Sequence, residues 1–111
     1  MTELKIQSEC FIWHNRTYPN KRGLLFSVPN GGKRHGAEAK NLKYSGVISG
    51  VSDMLLFEAG KCYCLEFKDE KGRQSENQKK WQENVVREGF DYYVVRSLGQ
   101  FKEIVRGIYG G

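Results

Sequence analysis

Long apolar runs are missing from this sequence, and so are most of the residues that mark secreted or zinc-bound proteins. No stretch of the 111 residues approaches the roughly 18 consecutive apolar side chains that a membrane-spanning helix needs, so no membrane span is expected. The opening Met1-Thr-Glu-Leu-Lys-Ile carries no secretory h-region. Cysteine is scarce. The three are Cys10, Cys62 and Cys64, an odd number with two of them one residue apart, which is no disulfide framework. No second Cys/His pair stands at a spacing that would close a zinc site. These absences point to a reducing, cytoplasmic setting. Internal repeats and low-complexity tracts are absent as well, so residues 1–111 are expected to form one domain around a modest core. Acidic residues are outnumbered. The net charge is +5 and the pI near 9.2, which suits a polyanionic partner, although a basic solvated surface gives the same balance.

What is present is organised around residues 46–68. Two runs of strand-favouring residues flank the break Glu58-Ala-Gly-Lys61, which reads as a β-hairpin. A tip of two residues at Ala59-Gly60, or of four over Glu58 to Lys61, gives one register, and in it Asp53 stands opposite Glu66. Lys68 shares the face of Glu66 because strand side chains alternate. Like charges directly opposed, roughly 5 Å apart at Cβ, repel unless something sits between them. A hard divalent cation such as Mg2+ would do so, and an ion so placed supports phosphodiester hydrolysis. The competing reading is a surface salt-bridge cluster of Asp53, Lys68 and Glu66. A three-residue tip would put the two acids on opposite faces. Leu55, Phe57, Cys62 and Cys64 line one face of the hairpin; Met54, Leu56, Tyr63, Leu65 and Phe67 line the other. A strand pair apolar on both sides belongs inside a layered α/β arrangement.

The rest of the chain supplies the layers. Residues 3 to about 16 are expected to be helical, with Thr2 as N-cap and Leu4, Cys10, Phe11 and Trp13 as an imperfect apolar stripe. Glu9 lies mid-helix, where an acid is ordinarily just solvated. Pro19, Asn20 and Gly23 turn the chain. Leu24 to Val28 is a short strand, closed by Pro29-Asn-Gly-Gly. The segment 33 to 43 carries Lys33, Arg34, Lys40 and Lys43 against one acid, Glu38, with a helix expected over 37 to 43. Glycines let amides approach a phosphate and the basic groups neutralise it, so this is a candidate nucleic-acid backbone site; the alternative is a basic loop with no partner. His35, alone in that loop, is a weak candidate base. Asp69 and Glu70 read as solvated turn residues. Ser75-Glu-Asn-Gln78 is a capping box opening a helix that runs to about Glu88 and stops at Gly89. Gln78, Trp81 and Val85 share its inner face, while Lys79, Lys80 and Arg87 charge the outer one. Phe90 to Arg96 is a strand able to return parallel to 61–68, and a last helix is expected from 98 to about 108.

The order helix, strand, hairpin, helix, strand, with Asp53 on one hairpin strand and Glu66-Phe-Lys68 on the other, resembles the PD-(D/E)XK nuclease superfamily. Pro29-Asn-Gly-Gly, Gly50-Val-Ser-Asp53, Glu66-Phe-Lys68, Gly72 and Gln78-Lys-Lys-Trp81 followed by Gly89 are similar to the virus-type replication-repair nuclease domain, VRR-NUC. The similarity spans roughly residues 3 to 98 and is to the small stand-alone form of phages and bacteria. It implies an α/β restriction-endonuclease-like core, a mixed β-sheet with an antiparallel hairpin flanked by helices. It implies that Asp53, Glu66 and the backbone carbonyl of Phe67 bind Mg2+ or Mn2+, and that Lys68 positions the attacking water. Glu9 would reach the metal through water, and Gln78 would orient water or Lys68. Ser52 stands where the superfamily's naming proline would be, a departure common in this domain family. The implied substrate is branched DNA, four-way (Holliday) junctions first and flaps after them. The implied enzyme is a homodimer working in the cytoplasm, the host's if phage-encoded. Lys33, Arg34, Lys40, Lys43, Lys79 and Lys80 would hold the DNA backbone. Two other classes remain: a non-catalytic branched-nucleic-acid-binding module on the same fold, and a small metal-free interaction domain.

Overall fold

A computed structural model of the chain describes residues 1–29 and 36–110. Lys33, Arg34 and His35, with the Asn30-Gly-Gly turn, lie outside the described residues. The elements run α1 (Glu3–Thr17), a 3-10 turn (Pro19–Lys21), β1 (Leu25–Ser27), α2 (Gly36–Tyr44), β2 (Met54–Glu58), β3 (Lys61–Phe67), α3 (Glu76–Arg87), β4 (Asp91–Val95) and α4 (Leu98–Ile108). The strands form one sheet in the order β1-β2-β3-β4. Pairing is antiparallel from β1 to β3 and parallel between β3 and β4. This is the mixed sheet with an antiparallel hairpin, flanked by helices, that the sequence predicts. No helix among the described residues is long and apolar enough to cross a membrane.

The hairpin tip decides the register. Ala59 and Gly60 have φ of 51° and 77°, the pair of left-handed residues that a two-residue type I′ turn requires. Met54 then faces Leu65 and Glu58 faces Lys61. Carried one residue past the ladder, this register sets Asp53 opposite Glu66.

One face of the sheet is the core. Leu25, Met54, Leu56, Leu65, Phe67 and Val95 point into it, and Ile6 and Cys10 of α1 with Phe101 and Val105 of α4 close it. Phe67 and Phe101 meet with ring centroids 6.1 Å apart; burying each side chain is worth about 2–3 kcal/mol. The apolar stripe of α1 differs from the predicted one. Leu4 is 72 % exposed and Phe11 is exposed too, whereas Ile6, Cys10 and His14 are buried. His14 is tolerated there because both ring nitrogens are satisfied, by the Tyr109 hydroxyl at 2.7 Å and Asn15 Oδ1 at 3.1 Å. Burial lowers its pKa, which favours the neutral ring.

The opposite face is covered only in part, contrary to the enclosure expected for both sides of the hairpin. α3 lies against β4 and buries none of its own residues. Phe26 and Phe57 pack on each other at 5.5 Å, yet Phe57 stays 45 % exposed. Cys64 is buried on this face and Cys62 only half-buried.

Candidate active site

The acids meet where this second face passes under the start of α3. The segment leading to Asp53 is pinned by Gly50. A Cβ there would stand 2.5 Å from the carbonyl carbon and oxygen of Asn77, and φ is +90°, so only glycine lets the segment lie against the first turn of α3. Asn77 Nδ2 donates to Ser49 Oγ at 3.0 Å across the same contact. Ser52, fully buried, donates to the Met54 carbonyl at 3.1 Å and holds the entry into β2.

Asp53 Oδ2 accepts the Phe67 backbone N–H at 2.6 Å, a bond that bridges the open end of the hairpin. Burial raises the pKa of Asp53. The Phe67 N–H opposes that shift, the Glu66 charge adds to it, the Lys68 charge again opposes it, and Glu3 adds a smaller rise. Glu66 is fully buried. Its Oε1 accepts a short hydrogen bond from the Tyr92 hydroxyl and one of 3.3 Å from Gln74 Nε2. Its Oε2 is buried and has no hydrogen-bond partner among the described residues. Lys68 is 9 % exposed, and its ammonium forms no hydrogen bond or ion pair among the described residues. The lysine stem lies against Gly72, in a turn held rigid from two sides. Asp69 Oδ1 accepts the N–H groups of Lys71 and Gly72 at 3.0 and 2.5 Å, and Arg96 Nη1 donates to the carbonyls of Asp69 and Gly72, each at 2.8 Å. Asp69, read from sequence as a solvated bystander, is therefore the cap of this turn.

The structure brings Asp53, Glu66 and Lys68 together with the Phe67 backbone. It does not bring Glu9 to them. Glu9 lines a separate cavity of about 490 Å³ with Glu70, Arg96 and Leu98. The α1 acid whose charge acts on Asp53 is Glu3, whose Oε2 would lie 3.2 Å from a Cβ on Gly72. Six residues of helix turn through about 600°, so Glu3 and Glu9 cannot share a face. Gln78 is engaged elsewhere too. Its Oε1 accepts the Ser75 N–H at 2.8 Å in the capping box, and the glutamine on Glu66 is Gln74. Sequence reasoning does not single out Tyr92, Gln74 or Glu3. One of them has a sequence signal: Tyr92 falls beside Cys64 in the parallel ladder and so on the acid's face. Lys40, Lys43 and Lys80 are exposed on α2 and α3, and Lys79 pairs with Glu76 at 3.5 Å; none of them bonds to the acids.

The residues fit a hard divalent ion. A buried carboxylate oxygen with no donor is costly unless a cation or donor reaches it. Two carboxylates with water are a sufficient set for Mg2+. Among the described residues no group of three or more His, Cys, Asp or Glu side chains forms a closed cage.

Comparison with known proteins places the chain in a family and supports the fold. A family model described as the VRR-NUC domain matches residues 5–98. A solved structure described as a VRR_NUC domain protein superposes with a TM-score of 0.80 at 21 % identity, covering 99 % of this chain and 89 % of that one. No curated protein matches the sequence.

Proposed function

The chain belongs to the VRR-NUC family of nuclease-type domains, and from that premise we propose that it is a Mg2+-dependent, structure-selective endonuclease that hydrolyses phosphodiester bonds in branched DNA. Four-way junctions are the proposed substrate and a homodimer the working form. The observation that carries the metal-dependent reading is the unpartnered, buried Oε2 of Glu66 beside Asp53.

Asp53 and Glu66 would hold the ion, with the Phe67 carbonyl as a further donor. When bound, it supplies charge neutralisation on the phosphate and an acidified water. Lys68 adds a cation whose three N–H donors are uncommitted among the described residues, so it serves the attacking water or a non-bridging phosphate oxygen. Glu3 takes the place proposed for an outer acid on α1, in preference to Glu9. Gln78 contributes by holding the start of α3, against which the Asp53 segment is seated. The exposed lysines of α2 and α3 provide sequence-independent contact with the DNA backbone.

The dimer is favoured by apolar surface that the chain leaves uncovered. Tyr44 is 79 % exposed and Ile48 56 %, and Phe57 and Phe90 line a surface cavity of about 460 Å³ at the hairpin tip. A symmetric junction needs matched cuts in two strands, which a C2 pair of identical sites provides.

The test is a cleavage assay on labelled four-way, flap and linear DNA with Mg2+, Mn2+ or EDTA. Junction cleavage with either metal, none with EDTA and a loss of about 10²–10³ in rate for Lys68→Ala are expected. Tight junction binding without any cleavage in Mg2+ or Mn2+ would establish the non-catalytic binding module instead.

A further inference from the structure

Glu66 is gripped by groups that the chemistry proposed above does not use. The Tyr92 hydroxyl on β4 and the Gln74 amide, just ahead of α3, both donate to Oε1. Gln74 Nε2 also donates to Gln82 Oε1 on α3 at 2.7 Å, which fixes the amide's orientation. The Trp81 ring meets Tyr92 edge-on, centroids 6.0 Å apart, and fixes the phenol.

Two donors on one oxygen and none among the described residues on the other is an asymmetric arrangement. It pins the carboxylate through Oε1 and leaves Oε2 with a single fixed direction. Apolar packing does not explain it, because both contacts to Oε1 are hydrogen bonds. Groups that hydrogen-bond a metal-binding carboxylate set its orientation and typically alter metal affinity when removed.

We infer that Tyr92 and Gln74, seated by Trp81 and Gln82, are positioning residues that present Glu66 Oε2 for cation binding together with Asp53. The inference rests on the metal-dependent reading above. It gives α3 a second role, since the helix orients the buried acid as well as covering the sheet.

Mn2+ titration of the DNA-free chain, followed by electron paramagnetic resonance, separates this role from a structural one. The parent, Tyr92→Phe, Gln74→Ala and Glu66→Gln are compared, with thermal midpoints measured in the absence of metal. Tyr92→Phe and Gln74→Ala should each weaken Mn2+ binding about tenfold while the metal-free midpoint falls by no more than the several degrees that loss of one hydrogen bond to a buried carboxylate costs. Affinities within about twofold of the parent for both, with Glu66→Gln unable to bind, would overturn the positioning role alone. Unchanged affinity in Glu66→Gln, or no binding by the parent, would overturn the cation site and the inference together. Should Tyr92→Phe fail to fold, Gln74→Ala decides, because that side chain is half-buried at the edge of the site and its loss leaves the core intact.

Discussion

Asp53 is an acid held where its charge is unfavourable. Burial raises its pKa above the ordinary 3.8, and the facing Glu66 adds to the rise despite the Phe67 N–H and Lys68. The folded chain therefore binds more protons at this site than the unfolded one. Stability falls as pH climbs from about that ordinary value through the raised one, and the deficit persists at neutral pH. Replacing the charge should relieve it. Asp53→Asn keeps an oxygen for the Phe67 N–H and is expected to raise the thermal midpoint of the metal-free protein at pH 7 by a few degrees. For a domain this size, each kcal/mol corresponds to about 4–8 °C. The gain should vanish below about pH 3, where Asp53 is protonated in the folded and the unfolded chain alike, and the same variant should not cleave DNA. Circular-dichroism melts across that pH range check the sign, and a lowered midpoint at pH 7 would contradict it. Such a gain in stability at the expense of activity is common where a site stores repulsion for its ligand.

At the scale of elements, the hairpin and α3 form one unit joined at Gly50. Gly50→Ala must both adopt a left-handed backbone and push against the Asn77 carbonyl, whereas Gly46→Ala at φ +100° meets open space. Chemical denaturation should therefore show a loss of about 1–2 kcal/mol for Gly46→Ala and clearly more for Gly50→Ala. Equal losses would mean that the contact with α3 does not seat the Asp53 segment. Much of this architecture is legible in the sequence. Alternation of apolar residues and the Ala59-Gly60 tip give the register that sets Asp53 against Glu66, and Ser75 with Gln78 marks the start of α3 through a capping box that is present as predicted. The phase of α1 is not legible, because its inner stripe includes a histidine while Leu4 and Phe11 face outward; Glu9 enters through the family resemblance alone, and nothing in the apolar residues singles out Glu3. Gln78 owes its proposed role to the family resemblance, and its Oε1 is taken by the Ser75 N–H while the glutamine on Glu66 is Gln74. Gln78 satisfies the helix-start pattern fully, and nothing local shows that Gln74, four residues earlier, reaches the acid across the sheet.

At the scale of the whole molecule, the proposed function joins a basic surface, exposed apolar residues and the Asp53–Glu66 pair. Junction binding should weaken steeply with salt, and the double variant Lys40→Ala/Lys43→Ala should reduce the slope of log affinity against log salt by about 2. A slope unchanged from the parent would remove α2 from the DNA interface. Phe57→Glu should shift the particle toward the monomer in sedimentation equilibrium if that apolar face joins two copies; a parent that is monomeric throughout would exclude the dimer. The most direct measurement concerns the acid pair itself: anomalous scattering from crystals of the chain soaked in Mn2+. One strong peak is expected within bonding distance, about 2.2 Å, of both an Asp53 oxygen and Glu66 Oε2. Saturating Mn2+ with no peak between those two carboxylates would contradict the metal-dependent mechanism.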